Sequence, residues 1–204
     1  GGGGSIGQQR LPQPKNVVVT TSNGLIHAQW EKNGDQAAQY QYEVHGVDLS
    51  RSPLPILLYA RIIQVDEQNT YSIPDINSAD LNATGKLTFK VKAIPNGLSN
   101  YINSYYVPID LYKLNPTADF VCSFDTTAKD FNASWTPDDK AQGYSLSILN
   151  ANGDPLFTKQ IAKETSEGEP TNSASINLEE LPPFVTGPFQ ITIISTGDAS
   201  TVNS

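Results

Sequence analysis

Residues 87–97 read LTFKVKAIPNG, and residues 189–198 read FQITIISTGD. Both segments alternate apolar and polar residues and then run into a turn, which is the period-2 pattern of a strand with one buried face. They lie about a hundred residues apart. This spacing raises the question of whether they are the same strand of a repeated domain.

The segments around these two strands repeat in the same order. Trp30 and Trp135 are 105 residues apart, and the tyrosines that come after them, Tyr40 and Tyr144, are 104 residues apart. Self-similarity at this period indicates tandem domains. Each repeat holds about seven short alternating segments, a number typical of an immunoglobulin-like sandwich. The sequence therefore predicts an all-β protein of two tandem antiparallel immunoglobulin-like β-sandwiches.

The predicted boundaries are set by where the alternation begins and repeats. Residues 1–15, GGGGSIGQQRLPQPK, have no periodicity and are interpreted as a flexible tether containing Gly and Pro. Residues 16–114 are predicted to form the first sandwich and residues 115–204 the second, whose final strand is short or missing.

Composition narrows the function classes. The chain has 204 residues, of which 38% are hydrophobic and 17% charged, with 14 Pro and 15 Gly. With so few charged residues, the polar surface must consist largely of uncharged polar side chains, a composition that is common in secreted or surface-displayed proteins. The formal net charge is −8 and no basic stripe is present, which excludes nucleic acid as an expected partner. No apolar run approaches the roughly 18 residues of a membrane span, so membrane insertion is not expected.

No group of residues predicts catalysis or a cofactor. The two histidines, His27 and His45, are expected to point away from the core on strands of opposite sheets, where they cannot converge on a metal. Cys122, the only cysteine, alternates with Phe120 and Phe124 and is predicted to be a small buried hydrophobic residue. The expectation is a protein that is not an enzyme, with no catalytic, metal or cofactor site.

The strand pattern resembles that of fibronectin type III domains. The resemblance is carried by Tyr40-x-Tyr42-x-Val44, by LPPFVTGPFQITI at 181–193, and by LTFKVKAIPNGLSNYINSYYVPI at 87–109. Leu87 and Phe189 stand where that family usually has a tyrosine. The resemblance covers nearly the whole chain from residue 16 and implies a spacer or binding module rather than an active site.

Exposed aromatic residues and two sequons are further candidate sites. Tyr101, Tyr105 and Tyr106 crowd the end of the first repeat, where they either bind a protein or carbohydrate ligand or pack at the junction between the domains. Asn82 and Asn132 match the N-glycosylation acceptor pattern, which matters in a eukaryotic source.

The segment at 189–198 differs from its first copy in the stretch of chain beyond its turn. Only ASTVNS remains there, a short polar stretch without an apolar face. Phe189, Ile191 and Ile193 are therefore candidate partner contacts. Three explanations stand open: the chain is a fragment of a longer protein, the tail forms a frayed edge strand, or another subunit's strand completes the sheet.

These observations predict a non-catalytic structural or adhesive spacer of an extracellular, cell-surface or virion assembly, joined to a protein partner or to copies of itself. The alternative function is a carbohydrate-binding accessory region of a secreted polysaccharide-active enzyme.

Overall fold

The computed structural model describes residues 7–48, 50–51 and 53–204. These form two compact units. Unit 1 comprises the described residues up to Lys113 together with Ala199–Val202, and unit 2 comprises Leu114–Asp198 with Asn203–Ser204. In their described residues, both units are built of strands with one short 3₁₀ helix each, Ser78–Asp80 and Leu178–Glu180, so the all-β prediction is confirmed.

Unit 1 contains eleven strands in the described residues. Their bounds are β1 (Gln9–Arg10), β2 (Lys15–Ser22), β3 (Leu25–Glu31), β4 (Ala37–Asp48), β5 (Ile56–Gln64), β6 (Thr70–Ser72), β7 (Ile76–Asn77), β8 (Ala83–Pro95), β9 (Tyr101–Ile102), β10 (Val107–Lys113) and, from the end of the chain, β17 (Thr201–Val202).

Nine of these strands form the two layers of a sandwich, and β1 pairs with β9 in a separate two-stranded sheet. One sheet has the order β2-β3-β6, with β7 also paired to β3, and the other has the order β17-β10-β8-β4-β5. The pairs within these sheets are antiparallel except β10–β17, which is parallel. The strand order of the two sheets is that of a fibronectin type III sandwich with one strand added beside β10.

The core of unit 1 lies between the two sheets. Trp30 is fully buried at its centre and meets Tyr40 edge-on, with ring centroids 5.5 Å apart. Alternate residues of β3, β4 and β8 face this core and are buried, namely Ile26, Ala28, Tyr42, Val44, Leu87, Phe89, Val91 and Ala93.

Unit 2 repeats this architecture with fewer strands. Their bounds are β11 (Ala118–Asp125), β12 (Asp130–Thr136), β13 (Gly143–Leu149), β14 (Pro155–Ala162), β15 (Ser173–Asn177) and β16 (Gln190–Thr196).

The six strands of unit 2 form two antiparallel sheets of three. Their orders are β11-β12-β15 and β14-β13-β16. Trp135 occupies the position of Trp30 and lies 5.1 Å from the ring of Tyr144. The indole thus fills the centre of each core, as the tandem-sandwich prediction requires.

The predicted tether is wrong over its second half. Within the tether, β1 pairs in parallel with β9, and Leu11 is 3% exposed in the core of unit 1. The backbone N–H of Leu11 donates to the carbonyl of Ile102 over 3.0 Å. Pairing partners more than ninety residues apart leave no local pattern, which is why the sequence shows no strand here. Residues 1–6, including most of GGGGSIG, lie outside the described residues.

The tail after residue 198 does not form a strand beside β16. β17 pairs in parallel with the end of β10, with Tyr112 opposite Thr201 and Lys113 opposite Val202. Val202 is fully buried in the core of unit 1. The frayed-edge explanation is therefore corrected, because this stretch extends the sheet of unit 1.

Candidate functional site

The candidate site is the free edge of β16 in unit 2. β16 pairs with β13, with Ile193 opposite Leu146, and no strand of the described chain pairs with its other edge. Its inward row consists of Phe189, just before the strand, then Ile191 and Ile193, and all three side chains are half-buried. An unpaired strand with an incompletely covered apolar row is a template for another strand.

Unit 1 contains the equivalent strand with its edge covered. β8 holds Leu87, Phe89 and Val91 inward, and all three are fully buried. Directly opposed residues of an antiparallel pair share a face. The residues of β10 that oppose this row are, in order, Leu111, Ile109 and Val107. Leu111 is buried in the core of unit 1, and Val107 packs against that core.

Two matching serine hydrogen-bond pairs show which residues of β8 and β16 correspond. In unit 1, the N–H of Ser104 donates to the carbonyl of Ala93 and the Ser104 hydroxyl accepts the Ala93 N–H, over 2.9 and 2.8 Å. In unit 2, Ser204 and Ser195 make the same two bonds over 3.0 and 2.8 Å. Ser195 is thus the counterpart of Ala93.

Counting back from this pair aligns the inward rows. Ile193, Ile191 and Phe189 are the counterparts of Val91, Phe89 and Leu87. The N–H and C=O of Ser195 point to the free edge, and backbone groups alternate sides along a strand. Those of Ile193 and Ile191 therefore point to the free edge as well.

A groove runs along this edge towards β11. One cavity of about 370 Å³ is lined by Phe120, Ile191 and Ile193, together with Pro116, Thr117, Thr192 and Ser204. A second cavity of about 410 Å³ continues past Ile191, and its walls are mainly apolar: Cys122, Phe124, Phe131, Leu178 and Phe189, with Ser123. We call these two cavities together the β16 groove.

The prediction that Cys122 is buried is wrong. Cys122 is exposed, and Phe124 on the same face of β11 is 41% exposed. The alternation places both side chains on the inward face of β11. In unit 2, however, no described strand lies beside β16 in the place that β10 takes beside β8 in unit 1, so this part of the inward face stays uncovered. The sequence did not predict β11 as the second wall of the groove. Period-2 alternation shows which side chains of a strand share a face, but it does not show whether another strand covers that face.

The three tyrosines at the end of the first repeat have different surroundings. Tyr105 is 65% exposed, and the guanidinium of Arg10 lies 4.0 Å from the centroid of its ring. Tyr101 is half-buried and packs against the core of unit 1. Tyr106 donates its hydroxyl to Glu43 over 2.8 Å. These intramolecular contacts favour a role in the fold of unit 1 for Tyr101 and Tyr106, while Tyr105 keeps an exposed face.

Glu43 on β4 is hydrogen-bonded to three other polar side chains. Besides Tyr106, its carboxylate accepts the side-chain amide of Gln41 over 2.8 Å and meets Nε2 of His45 at 2.7 Å. Burial raises the pKa of Glu43, but the hydrogen bonds of His45 and Tyr106 outweigh it, so the net pKa lies below its usual value. Burial, reinforced by Glu43, raises the pKa of Tyr106 to about 12.

The two histidines lie on strands of opposite sheets, as predicted. His27 on β3 contacts Asp75 at 2.7 Å, and His45 on β4 contacts Glu43. Within the described ranges, no group of three or more His, Cys, Asp or Glu side chains could hold a metal ion. Over the same part of the chain, no helix is both long and apolar enough to cross a membrane.

The two sequon asparagines differ in their surroundings. The Asn82 side chain is exposed and donates to Asp48 and to the Ser50 hydroxyl, each over 3.2 Å. Asn132 lies in the middle of β12, and its side-chain oxygen accepts the Ser175 hydroxyl over 2.6 Å. Of the two, Asn82 has the more open surroundings for a glycan.

Comparisons with solved structures match most of the chain, across both units, at low identity. A two fibronectin type-III domain segment from chicken tenascin is 16% identical, with 95% of this chain and 98% of that chain covered and a TM-score of 0.36. The chicken interferon gamma receptor alpha chain is 14% identical over 95% and 96%, with a TM-score of 0.34. A tetra-tandem repeat from the extending region of a large adhesion protein is 15% identical over 95% of this chain and 48% of that chain, with a TM-score of 0.38.

No protein-family model and no curated protein sequence matches the chain. The description of the fold rests on the strand order and register of the two units themselves: each is an immunoglobulin-like sandwich with the strand arrangement of a fibronectin type III domain, complete in unit 1 and open at β16 in unit 2.

Proposed function

We propose that this protein is a non-catalytic structural or adhesive module of an extracellular, cell-surface or virion assembly, and that it joins a protein partner by accepting a strand at the β16 groove. The single observation that carries the proposal is the free edge of β16 with its half-buried row of Phe189, Ile191 and Ile193. Strand addition supplies main-chain hydrogen bonds to such an edge and apolar contacts to such a row.

The surface charge of unit 2 agrees with a protein partner. Residues 115–204 carry four Lys/Arg and twelve Asp/Glu, a net charge of −8. The outward residues of β16 are nevertheless uncharged, namely Gln190, Thr192 and Ile194. A strand approaching this edge therefore meets neutral neighbours on a negatively charged unit.

The test is hydrogen exchange of the isolated chain against the chain in its native assembly, purified from its source. The amides of Ile191 and Ile193 are expected to exchange at least about tenfold more slowly in the assembly, because a bonded edge amide exchanges only through opening. Equal exchange in the two states would show that the edge is not an assembly contact.

The carbohydrate-binding alternative rests on Tyr105, since its exposed ring could stack on a sugar. It predicts glycan-array binding that the variant Tyr105→Ala abolishes and that Ile193→Asp leaves intact. The strand-addition proposal predicts no such glycan binding.

A further inference from the structure

We infer that Arg61 prevents this protein from pairing with a second copy of itself through the free edge of β5 in unit 1. Removal of the guanidinium group is expected to make that edge a self-association surface. The inference concerns a different strand and a different unit from the proposed function and does not depend on it.

β5 is the outermost strand of its sheet. It pairs with β4 on one side, and no strand of the described chain pairs with its other side. Its sequence, ILLYARIIQ at residues 56–64, contains no Pro or Gly and a single charged residue, Arg61. A long apolar edge strand pairs with the edges of other molecules unless a charge, a proline or a bulge prevents it.

Ala60 and Ile62 direct their backbone N–H and C=O groups to the free edge. The N–H of Val65 donates to the carbonyl of Ala38 across the β4–β5 pair over 3.0 Å. Backbone groups alternate sides along a strand, so those of every second residue before Val65 also point to β4. The groups of Ala60 and Ile62, at the positions between, therefore point away from β4.

Arg61 occupies the carbonyl that the free edge presents at Ala60. Its Nη1 donates to the carbonyl oxygen of Ala60 over 2.7 Å, and its guanidinium carbon lies 4.3 Å from the centroid of the Tyr59 ring. Together, the hydrogen bond and the cation–π contact hold the positive charge beside the edge. An N–H group of an incoming strand would have to displace the guanidinium from this carbonyl.

A second copy fits this edge because β5 is complementary to itself. In an antiparallel pair centred on Arg61, Ala60 of each copy lies opposite Ile62 of the other, and the free N–H and C=O groups of both residues become bonded. The outward side chains of Leu57 and Ile62 are 49% and 53% exposed, so pairing also removes apolar surface from water.

The same pairing places the two Arg61 side chains directly opposite each other, and like charges in this position are destabilising. Arg61 therefore opposes self-association in two ways. It covers the Ala60 carbonyl, and it repels the Arg61 of a second copy.

The experiment removes the guanidinium from the full chain. Arg61→Ala is expected to lower the dissociation constant of the dimer, measured by sedimentation velocity, at least about tenfold below the value or lower limit for the wild-type protein. In a concentrated sample, the amides of Ala60 and Ile62 are expected to exchange at least about tenfold more slowly than in a dilute sample of the same variant.

Two further substitutions at residue 61 separate charge from packing. Arg61→Met keeps an unbranched side chain beside Tyr59 without a charge or a donor, and is expected to associate as Arg61→Ala does. It carries the same test if Arg61→Ala fails to fold. Arg61→Lys keeps the charge and is expected to associate less than either variant.

Two controls locate the association at β5. Arg51→Ala removes an equal charge from an exposed position before the strand and is expected to leave the dissociation constant unchanged. The double variant Arg61→Ala, Ile62→Lys restores a charge to the edge strand and is expected to return association to the wild-type level. Circular dichroism establishes that each variant is folded.

Each of four results would overturn the inference. In the first, the uncharged variants at residue 61 associate no more than Arg51→Ala. In the second, they associate without protecting the amides of Ala60 and Ile62. In the third, the double variant associates as strongly as Arg61→Ala. In the fourth, the wild-type protein protects these two amides equally well at the same concentration.

Discussion

Glu43 illustrates how a charged residue is accommodated on a strand of this sandwich. It lies between the core residues Tyr42 and Val44 on β4 and is itself buried, yet its carboxylate is hydrogen-bonded by Gln41, His45 and Tyr106. The sequence places Glu43 on the outward face, but the bond to Tyr106 joins residues 63 apart. Alternation alone does not reveal such a contact.

Tyr106→Phe is expected to lower the free energy of unfolding of unit 1 by about 1.5 kcal/mol at pH 7, because it removes a hydrogen bond to a buried carboxylate. The pKa of Glu43 is lowered on folding from its ordinary 4.5. Its stabilising contribution is therefore present above about pH 4.5 and is lost as the pH falls through the lower, folded pKa. Urea denaturation at a series of pH values from 7 down to the acid unfolding limit measures both effects.

The matched control is Tyr105→Phe, at a ring that is 65% exposed. It is expected to change stability by less than about 0.5 kcal/mol at every pH of the series. A loss in Tyr106→Phe that stays constant over the whole pH series would contradict the assignment to Glu43.

The individual strands differ in how well the sequence predicts which of their residues are buried. The alternation of β3, β4 and β8 correctly places their inward residues, because these strands have neighbours on both edges and a sheet opposite. The same pattern on β11 misleads at Cys122, because the sequence of one strand carries no information about its cover. Similarly, β1 and β17 are two-residue strands whose partners are distant in sequence, so no period could form.

Substitutions on β8 and β16 should differ in cost because only β8 is covered. Leu87→Ala deletes a fully buried side chain and is expected to destabilise unit 1 by about 3 kcal/mol. Ile193→Ala deletes a half-buried side chain and is expected to cost unit 2 about 1 kcal/mol. Chemical denaturation followed by unit-specific amide signals separates the two losses. A cost for Ile193→Ala as large as that for Leu87→Ala would mean that β16 is covered.

Gly143 is where β13 has no room for a side chain. An added Cβ would lie 2.8 Å from the carbonyl oxygen of Ile161 and 3.3 Å from the Thr196 hydroxyl. Gly143→Ala is therefore expected to destabilise unit 2 by about 2 kcal/mol through displacement of the neighbouring strands. Gly97→Ala, where nothing lies within 4 Å, is the control and is expected to be near neutral. Thermal unfolding compares the two variants, and equal melting temperatures would contradict the crowding at Gly143.

At the scale of the whole molecule, two similar sandwiches use the end of the chain differently from what the repeat predicts. The tandem period correctly predicts two sandwiches, each with its own Trp-centred core. It does not predict that Val202, near the end of the second repeat, is buried in the core of unit 1. The repeat period assigns each residue to a unit by its position along the chain. In the folded protein, a residue belongs to the unit whose core covers its apolar surface.

Val202→Ala is accordingly expected to destabilise unit 1, by about 1.5 kcal/mol for a fully buried aliphatic side chain. Unit-specific amide exchange is the measurement, with the amides of β4 and β8 reporting on unit 1 and those of β13 on unit 2. A loss of protection confined to β13 would contradict the assignment of residues 199–202 to unit 1.

Amide hydrogen exchange of the isolated chain tests, within one molecule, whether the edge of β16 is open where the edge of β8 is covered. The amides of Phe89 and Val91 are expected to exchange at least about a hundredfold more slowly than those of their counterparts Ile191 and Ile193, because β10 bonds the first pair and no described strand bonds the second. Similar protection of the two pairs of amides in a dilute, monomeric sample would contradict an open edge at β16.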